Sequence, residues 1–311
     1  MNIWTRFDRP FSVLAPMDDV TDITFRKLVR KWAAPDILFT EFASVDGMMS
    51  SGRNRVEKKL RLNEDEDNLV AQLWGLVPEN FEAIARELSG AGFAGIDLNM
   101  GCPVPKVIKK GACSALAKNH QLAGDIIEAT KSGAGKLPVS VKCRLGFKEI
   151  DMAWIQFLLE QDIDCLIVHG RTTSELSKVP NHFEAFPEIM NIRDKISPQT
   201  PVVINGDIMN QTQGEQICKE MGIDGFMIGR GIFKDPFAFS KAKEWSDVDE
   251  PTRIAMYREH VEQFIADNPD GNFNVLKRFS KVYINGFDGA SSLRTAVVNA
   301  KTLQEILSLI K

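Results

Sequence analysis

The chain alternates short apolar runs with amphipathic segments from its N-terminus to about residue 235. Runs rich in Val, Ile, Leu and Phe and bounded by Gly or Pro predict buried strands. There are eight: SVLAPM (12–17), ILFTEF (37–42), LVAQLWG (69–75), GIDLNMG (95–101), VSVKCRLG (139–146), CLIVHGR (165–171), PVVINGD (201–207) and GFMIGRG (225–231). The intervening segments, including TDITFRKLVRKW, PENFEAIARELSGAG, LAGDIIEATKSG, MAWIQFLLEQ and QGEQICKEMG, have helical periodicity. Eight successive strand–helix units predict an α/β fold, a (β/α)8 TIM barrel.

A doubly wound sheet is the alternative architecture for alternating strands and helices. Its dinucleotide fingerprint, G-x-G-x-x-G, directly follows the first strand. Here the first strand ends in Ala15-Pro16-Met17 instead. The sequence therefore favours the barrel.

The predicted strands begin with aliphatic residues and end in polar ones. Examples are Gln72, Asn99, Lys142, His169 and Asn205. The carboxyl ends of barrel strands open on one mouth, where barrel enzymes hold their active sites. We expect the chemistry of this protein at that mouth.

The pattern changes after Phe239. KAKEWSDVDEP is polar, and the residues after it have helical periodicity without strand candidates. We predict two domains, a barrel over residues 1–242 and a small all-α domain over residues 243–311.

Composition and charge narrow the class of protein. The 311 residues are 44% hydrophobic and carry a net charge of −4, so nucleic-acid contacts must come from local basic patches. The five cysteines are an odd number without zinc or disulfide spacing. The first residues lack a signal-peptide core, and no apolar run approaches the roughly 18 residues of a membrane span. We expect a cytoplasmic protein without metal or membrane contact.

The fourth predicted strand leads into the segment GCPVPKVIKKGACSALAK, with Cys102 in the loop. Pro103 and Pro105 favour an extended loop. Nearby cations would lower the thiol pKa below its usual value of about 8.5. Three lysines could supply that charge: Lys106, Lys109 and Lys110. Cys102 is a candidate proton donor.

DLNMGCPVPKV followed by KKGACSALAK resembles the signature of the tRNA-dihydrouridine synthases, flavoproteins that reduce selected uridines in tRNA. The resemblance extends over nearly the whole chain. It implies that Cys102 is the general acid, that FMN is the cofactor, and that NADPH or NADH is the reductant. The segment after Cys102 departs from the family pattern, because it is poorer in glycine and contains Cys113. Only Cys102 has the Gly-Cys-Pro frame.

Two glycine-containing turns are candidates for the flavin phosphate. Asn205-Gly206-Asp207 follows strand seven, and Gly229-Arg230-Gly231 follows strand eight. Glycines let backbone N–H groups approach an anion, and Arg230 adds charge. Loops after strands seven and eight are the usual phosphate position in barrels.

The flavin ring needs a cation near the edge where charge collects on reduction, and polar groups at its pyrimidine edge. The resemblance places Lys142, Gln72, Pro16, Met17 and Asp18 in these roles. It places His169 beside the flavin, towards either the phosphate or the substrate.

For the tRNA, we place Asn99 and Lys106 at the substrate beside Cys102. Arg144 and Arg171 could contact either the RNA backbone or the flavin phosphate. Five cations in GRNRVEKKLR (52–61) follow strand two. From residue 277 onwards, six basic residues against two acidic ones give a local net charge of +4. This region holds the remaining candidates, Lys277, Arg278, Lys281 and Arg294.

The resemblance thus implies FMN-dependent reduction of the C5–C6 double bond of specific tRNA uridines. We expect the protein to be a monomer. One alternative is a free-pyrimidine flavoenzyme of the dihydroorotate dehydrogenase kind, which would not need the basic helical tail. The other is a non-catalytic RNA-binding barrel, which would not need Cys102, Lys142 and His169.

Overall fold

The computed structural model describes residues 2–311, which leaves Met1 outside. Eight parallel strands form one sheet, in which sequence neighbours pair and β8 returns to β1. A parallel bridge between Val13 and Ile37 joins β1 to the residue before β2, so the sheet curls into a barrel. The strands are β1 Phe11–Leu14, β2 Leu38–Ser44, β3 Leu69–Trp74, β4 Gly95–Met100, β5 Val139–Arg144, β6 Cys165–His169, β7 Val202–Asn205 and β8 Gly225–Ile228. The barrel prediction is confirmed, and the doubly wound alternative is wrong.

Seven of the eight strands end earlier than predicted. β1 stops at Leu14 before Pro16, and β7 stops at Asn205 before Gly206, whose φ of 114° breaks the extended backbone. β2 instead continues to Ser44. The glycine and proline residues after these strands therefore belong to the loops that build the mouth. The polar residues named above lie within the strands themselves: Gln72, Asn99, Lys142, His169 and Asn205.

The helices are α1 Ile23–Ala33, α2 Val45–Met48, α3 Arg53–Val56, α4 Pro78–Leu88, α5 Pro105–Ile108, α6 His120–Ala134, α7 Met152–Leu159, α8 Phe186–Ile196, α9 Gln211–Met221, α10 Glu250–Asp267, α11 Asn274–Tyr283, α12 Ala290–Asn299 and α13 Leu303–Leu309. α8 was not among the predicted segments.

Inside the barrel, Trp4 packs on Phe11 and Phe39, with ring centroids 6.1 and 6.2 Å apart. This aromatic cluster fills the end of the barrel opposite the mouth.

The helical tail packs against the barrel beside β8 and β1 through α10 and α11. The ring of Phe279 in α11 lies 5.2 Å from that of Phe25 in α1 and 5.9 Å from that of Phe233. Across the same contact, Thr24 donates a hydrogen bond of 2.8 Å to Asp267. Within residues 2–311 no strand follows Ile228, as predicted. The same residues contain no helix that is both long and apolar enough to cross a membrane.

Candidate active site at the barrel mouth

β4 delivers Cys102 to the mouth, and Asn99 holds the turn that presents it. The Asn99 side-chain oxygen accepts hydrogen bonds from the N–H groups of Gly101 (3.2 Å) and Cys102 (2.9 Å). The loop is not extended as predicted, because α5 begins at Pro105. Proline suits the first helical position, where no N–H is needed.

The pKa of Cys102 is lowered to about 7. The largest cause is a hydrogen bond with the Cys113 thiol, and the N–H of Val104 and the charge of Arg144 act in the same direction against burial. The predicted cause is not among the main ones, since three lysine side chains are exposed and other groups dominate the shift: Lys106, Lys109 and Lys110.

Cys113 is a functional neighbour that the sequence interpretation left without a role. It is buried and begins a 3-10 helix, Cys113–Lys118, with a left-handed φ of 53°. The next residue ties this helix to the candidate acid, because the Ser114 hydroxyl donates to the Cys102 carbonyl at 2.9 Å. The contact with Cys102 and burial raise the pKa of Cys113 well above its usual value. Cys113 therefore keeps its proton and can donate a hydrogen bond to a Cys102 thiolate.

Gln72 and Asp97 form a polar layer inside the barrel below Cys102. Gln72 is fully buried, donates to Asp97 at 2.7 Å and accepts from Asn99 Nδ2 at 2.9 Å. Burial raises the pKa of Asp97 to about 7. The sequence interpretation missed Asp97, although a single acid within the apolar run GIDLNMG was a usable signal.

Arg144 and Arg171 are both buried, and other groups of the protein occupy their guanidinium groups. Arg144 donates to three backbone carbonyls, at 2.8, 3.0 and 2.9 Å: those of Gly101, Thr172 and Leu176. Arg171 donates to the Val179 carbonyl at 2.6 Å and pairs with Asp207. Neither guanidinium is available to an RNA backbone, and both hold loops of the mouth in place.

Beside Cys102, a cleft opens between the ends of β1, β5, β6, β7 and β8. Most of the predicted cofactor residues line it: Pro16, Met17, Lys142, His169, Asn205, Gly206, Asp207, Gly229 and Arg230. Two predicted residues do not, because Gln72 lies in the barrel interior and the exposed Asp18 carboxylate pairs with Lys59. Ser177 lines the cleft without having been predicted.

The cleft is electropositive. Lys142 Nζ donates to the Asn205 side-chain oxygen at 3.1 Å, and its pKa falls to about 8 through burial and the charge of Arg144. The pKa of His169 lies well below its usual value, because burial and four surrounding cations disfavour its charged form. These are Arg144, Lys142, Arg171 and Arg230. A bound anion would relieve this repulsion.

Backbone donors face the same cleft. In the described chain, the N–H groups of Gly206, Asp207 and Gly229 have no protein acceptor. A side chain at Gly206 would not fit, since its Cβ would lie 2.2 Å from the oxygen of the buried Asn181 amide. Free N–H groups beside lysine and arginine suit a phosphate, so these residues fit the phosphate end of a flavin nucleotide.

The four predicted cations of the helical tail differ in how far their side chains are occupied by other groups of the protein. Arg278 donates to the Asp19 carbonyl at 3.2 Å, which brings α11 to the β1 side of the mouth. Arg294 donates to the Ile284 carbonyl at 2.6 Å. Lys277 lies 5.3 Å from the centre of the Phe273 ring, and Lys281 is exposed.

Most of the cations in residues 52–61 are paired with other groups of the protein, so fewer of them can bind RNA than the charge of the stretch suggested. Arg53 pairs with Glu57 and Glu87, Lys59 pairs with Asp18 and Glu41, and Arg61 donates to the Asp267 carbonyl. Two exposed cations remain without such partners among residues 2–311: Arg55 and Lys58.

An eight-stranded parallel barrel with a thiol and an anion-binding cleft at its mouth defines an α/β-barrel enzyme. The model of the family described as dihydrouridine synthase (Dus) matches residues 13–311. The chain therefore belongs to the dihydrouridine synthase family. As a member, it is a flavin-dependent oxidoreductase that uses a nicotinamide reductant.

Curated relatives match along the whole chain. "Probable tRNA-dihydrouridine synthase" of Staphylococcus aureus (strain COL) is 45% identical, over 99% of this chain and 94% of the relative. "Probable tRNA-dihydrouridine synthase 2" of Bacillus subtilis (strain 168) is 42% identical, over 99% and 95%. These matches do not favour the dihydroorotate dehydrogenase or non-catalytic alternatives. A solved variant of NCR from Zymomonas mobilis is 16% identical over 80% of this chain and 94% of that one, with a TM-score of 0.49. That similarity says nothing about function.

Proposed function

We propose that this chain reduces the C5–C6 double bond of specific uridines in tRNA, with FMN as cofactor and NADPH or NADH as reductant. The names of the relatives support the substrate. One observation carries the chemistry: the Cys102 thiol, with its pKa near 7, lies at the mouth beside a cleft suited to a phosphate.

The FMN phosphate would accept hydrogen bonds from the N–H groups of Gly206, Asp207 and Gly229 and a charge-assisted bond from Arg230. Lys142 would place its ammonium beside the ring system. Bound FMN supplies a hydride to C6 of the uracil.

Cys102 would donate its proton to C5 of the uracil. A general acid works best when its pKa lies near the working pH, which a pKa of about 7 satisfies. Asn99 would set the position of the thiol through the N–H of Cys102. Arg144 would hold the same turn from the other side through the Gly101 carbonyl.

The tRNA would lie across the mouth. We assign its phosphates to the exposed cations Lys106 and Lys281 and to Lys277 and Arg278 on α11, which lies beside the β1 loop. Residues 243–311 would act as the tRNA-binding domain and residues 1–242 as the catalytic domain. We further propose a cytoplasmic monomer, consistent with five unpaired cysteines.

The test uses tRNA from cells with and without the gene, analysed by mass spectrometry for dihydrouridine at each position. We expect one or more positions to lose dihydrouridine and to regain it when purified protein and NADPH are added. Unchanged tRNA, together with purified protein that neither holds flavin nor modifies the tRNA, would refute the proposal.

A further inference from the structure

A carboxylate lies at the centre of the barrel below the candidate acid. Asp97 in β4 is fully buried, between Gln72 of β3 and Ser140 of β5. Gln72 Nε2 donates to one carboxylate oxygen at 2.7 Å, and the Ser140 hydroxyl donates to the other at 2.6 Å. Burying a carboxylate is costly, so its presence on a strand whose other side chains are uncharged calls for a reason.

Gln72 connects this carboxylate to the mouth. Its side-chain oxygen accepts from Asn99 Nδ2 at 2.9 Å, and the Asn99 oxygen accepts from the Cys102 N–H at 2.9 Å. Three consecutive hydrogen bonds therefore join the Asp97 carboxylate to the backbone of Cys102.

The chain of hydrogen bonds has a direction, and Asp97 sets it. In its ionised form, which a pKa of about 7 leaves populated at neutral pH, the carboxylate only accepts hydrogen bonds, so Gln72 then turns its NH₂ towards Asp97 and its oxygen towards Asn99. Asn99 must then turn its own NH₂ towards Gln72 and its oxygen towards the loop. If both amides were reversed, the Asn99 NH₂ would face the N–H of Cys102, and two donors would meet.

We propose that Asp97 is a positioning residue for Cys102, which orients the amides of Gln72 and Asn99 so that the Cys102 turn has an acceptor. The proposal rests on the proposed function only for the role of the thiol in catalysis. The orientation of the loop itself is a property of the protein without tRNA.

The direction can be tested by reversing it with isosteric substitutions. Asn99→Asp keeps an acceptor for Cys102 but leaves Gln72 between two carboxylates, so one end of its amide must place oxygen against oxygen. Adding Asp97→Asn removes this conflict, because the Gln72 amide can then flip. Its oxygen accepts a hydrogen bond from the amide introduced at position 97. Its NH₂ donates to the carboxylate introduced at position 99. Asp97→Asn alone no longer fixes the direction, because its amide can present either an acceptor or a donor to Gln72, so we expect a change in the same sense as that of Asn99→Asp but smaller.

The first readout is the alkylation rate of Cys102 by iodoacetamide against pH, measured by peptide mass spectrometry on the flavin-loaded protein without tRNA. The second is kcat and KM for dihydrouridine formation. We expect Asn99→Asp to shift the alkylation profile and to lower kcat roughly ten- to hundredfold, as mispaired buried groups do. We expect the double variant to recover most of both.

Asp164→Asn is the matched control. Asp164 is a partly buried carboxylate that also accepts a backbone N–H, from Val139 at 2.7 Å, and a side-chain amide, from Asn2 at 2.6 Å. It directly precedes β6, at the end of the barrel opposite the mouth. This variant should lose thermal stability and keep the Cys102 profile.

Two outcomes would overturn the proposal. In one, Asn99→Asp has the wild-type alkylation profile; in the other, the double variant is no better than Asn99→Asp in either readout. Because alkylation needs no turnover, it separates failure of this proposal from failure of the proposed function. If no variant forms dihydrouridine and yet the alkylation profiles show the expected order, only the proposed function fails.

Discussion

The two sides of the barrel mouth use their polar groups in opposite ways. At the end of β4, the side chains of Gln72, Asn99 and Arg144 are occupied by other groups of the protein. At the ends of β7 and β8, the N–H groups of Gly206 and Gly229 face a cleft without a protein acceptor.

This difference separates a preorganised side from a receptive side. The β4 side holds Cys102 whether or not a ligand is present, because its hydrogen bonds are internal. The β7–β8 side gathers donors and cations of which the Asp207 carboxylate pairs with two, Arg171 and Arg230, so that a bound anion would relieve the remaining repulsion. Substitutions on the β4 side should therefore change the chemistry, and those on the β7–β8 side should change cofactor binding.

The largest expected effect is that of Cys102→Ala. The variant should retain flavin and bind tRNA but lose turnover by about 10² to 10⁴, because it lacks the proton donor. Single-turnover assays with reduced enzyme measure this loss directly. Wild-type turnover would mean that another group protonates C5.

The receptive side is tested by Arg230→Ala. Loss of a charge-assisted bond to the phosphate should weaken FMN binding by roughly 10- to 100-fold, measured by fluorescence titration of the flavin-free protein. Lys234→Ala is the control, since that exposed cation lies outside the cleft. Normal FMN affinity in Arg230→Ala would place the phosphate elsewhere.

Lys142→Ala should instead slow flavin reduction, because its ammonium lies beside the ring in our proposal.

The helical tail extends the comparison to tRNA. Neutralising Lys277, Arg278 and Lys281 together should raise KM for tRNA and reduce the slope of log affinity against log salt by about 2 to 3. NADPH oxidation by the flavin should not change. The control neutralises three exposed lysines at the end of the barrel opposite the mouth: Lys136, Lys195 and Lys219. Equal slopes for both triple variants would mean that tRNA docks elsewhere.

The smallest expected effect is that of a substitution at Cys113, on the β4 side of the mouth. Cys113→Ala removes the hydrogen bond that contributes most to the lowered pKa of Cys102. That pKa should rise from about 7 towards its usual value, so alkylation at neutral pH should slow while turnover largely persists. Since the acid form is present below the pKa, the alkaline limit of turnover should move to higher pH. Cys218→Ala, a buried cysteine in α9, should leave the alkylation profile unchanged.

The hydrophobic pattern by itself determined the eight strands, the barrel and the helical tail. Strand and helix periodicities are local properties, so they are legible in the sequence. The same holds for the glycine turns Gly206 and Gly229 and for Cys102, each of which lies directly after a strand.

Only the tertiary structure decided which groups meet. Cys113 lies against Cys102, Arg144 spans from β5 to two other loops, and Gln72 and Asp97 meet across two strands. It also showed that Lys106 is exposed, so that a cation nearby in sequence is not among the main causes of the lowered pKa of Cys102. These contacts join residues far apart in sequence, or depend on side-chain direction, and closure of the barrel fixes both. A local pattern cannot show them, because it records each residue's own preference and not its partner across the fold.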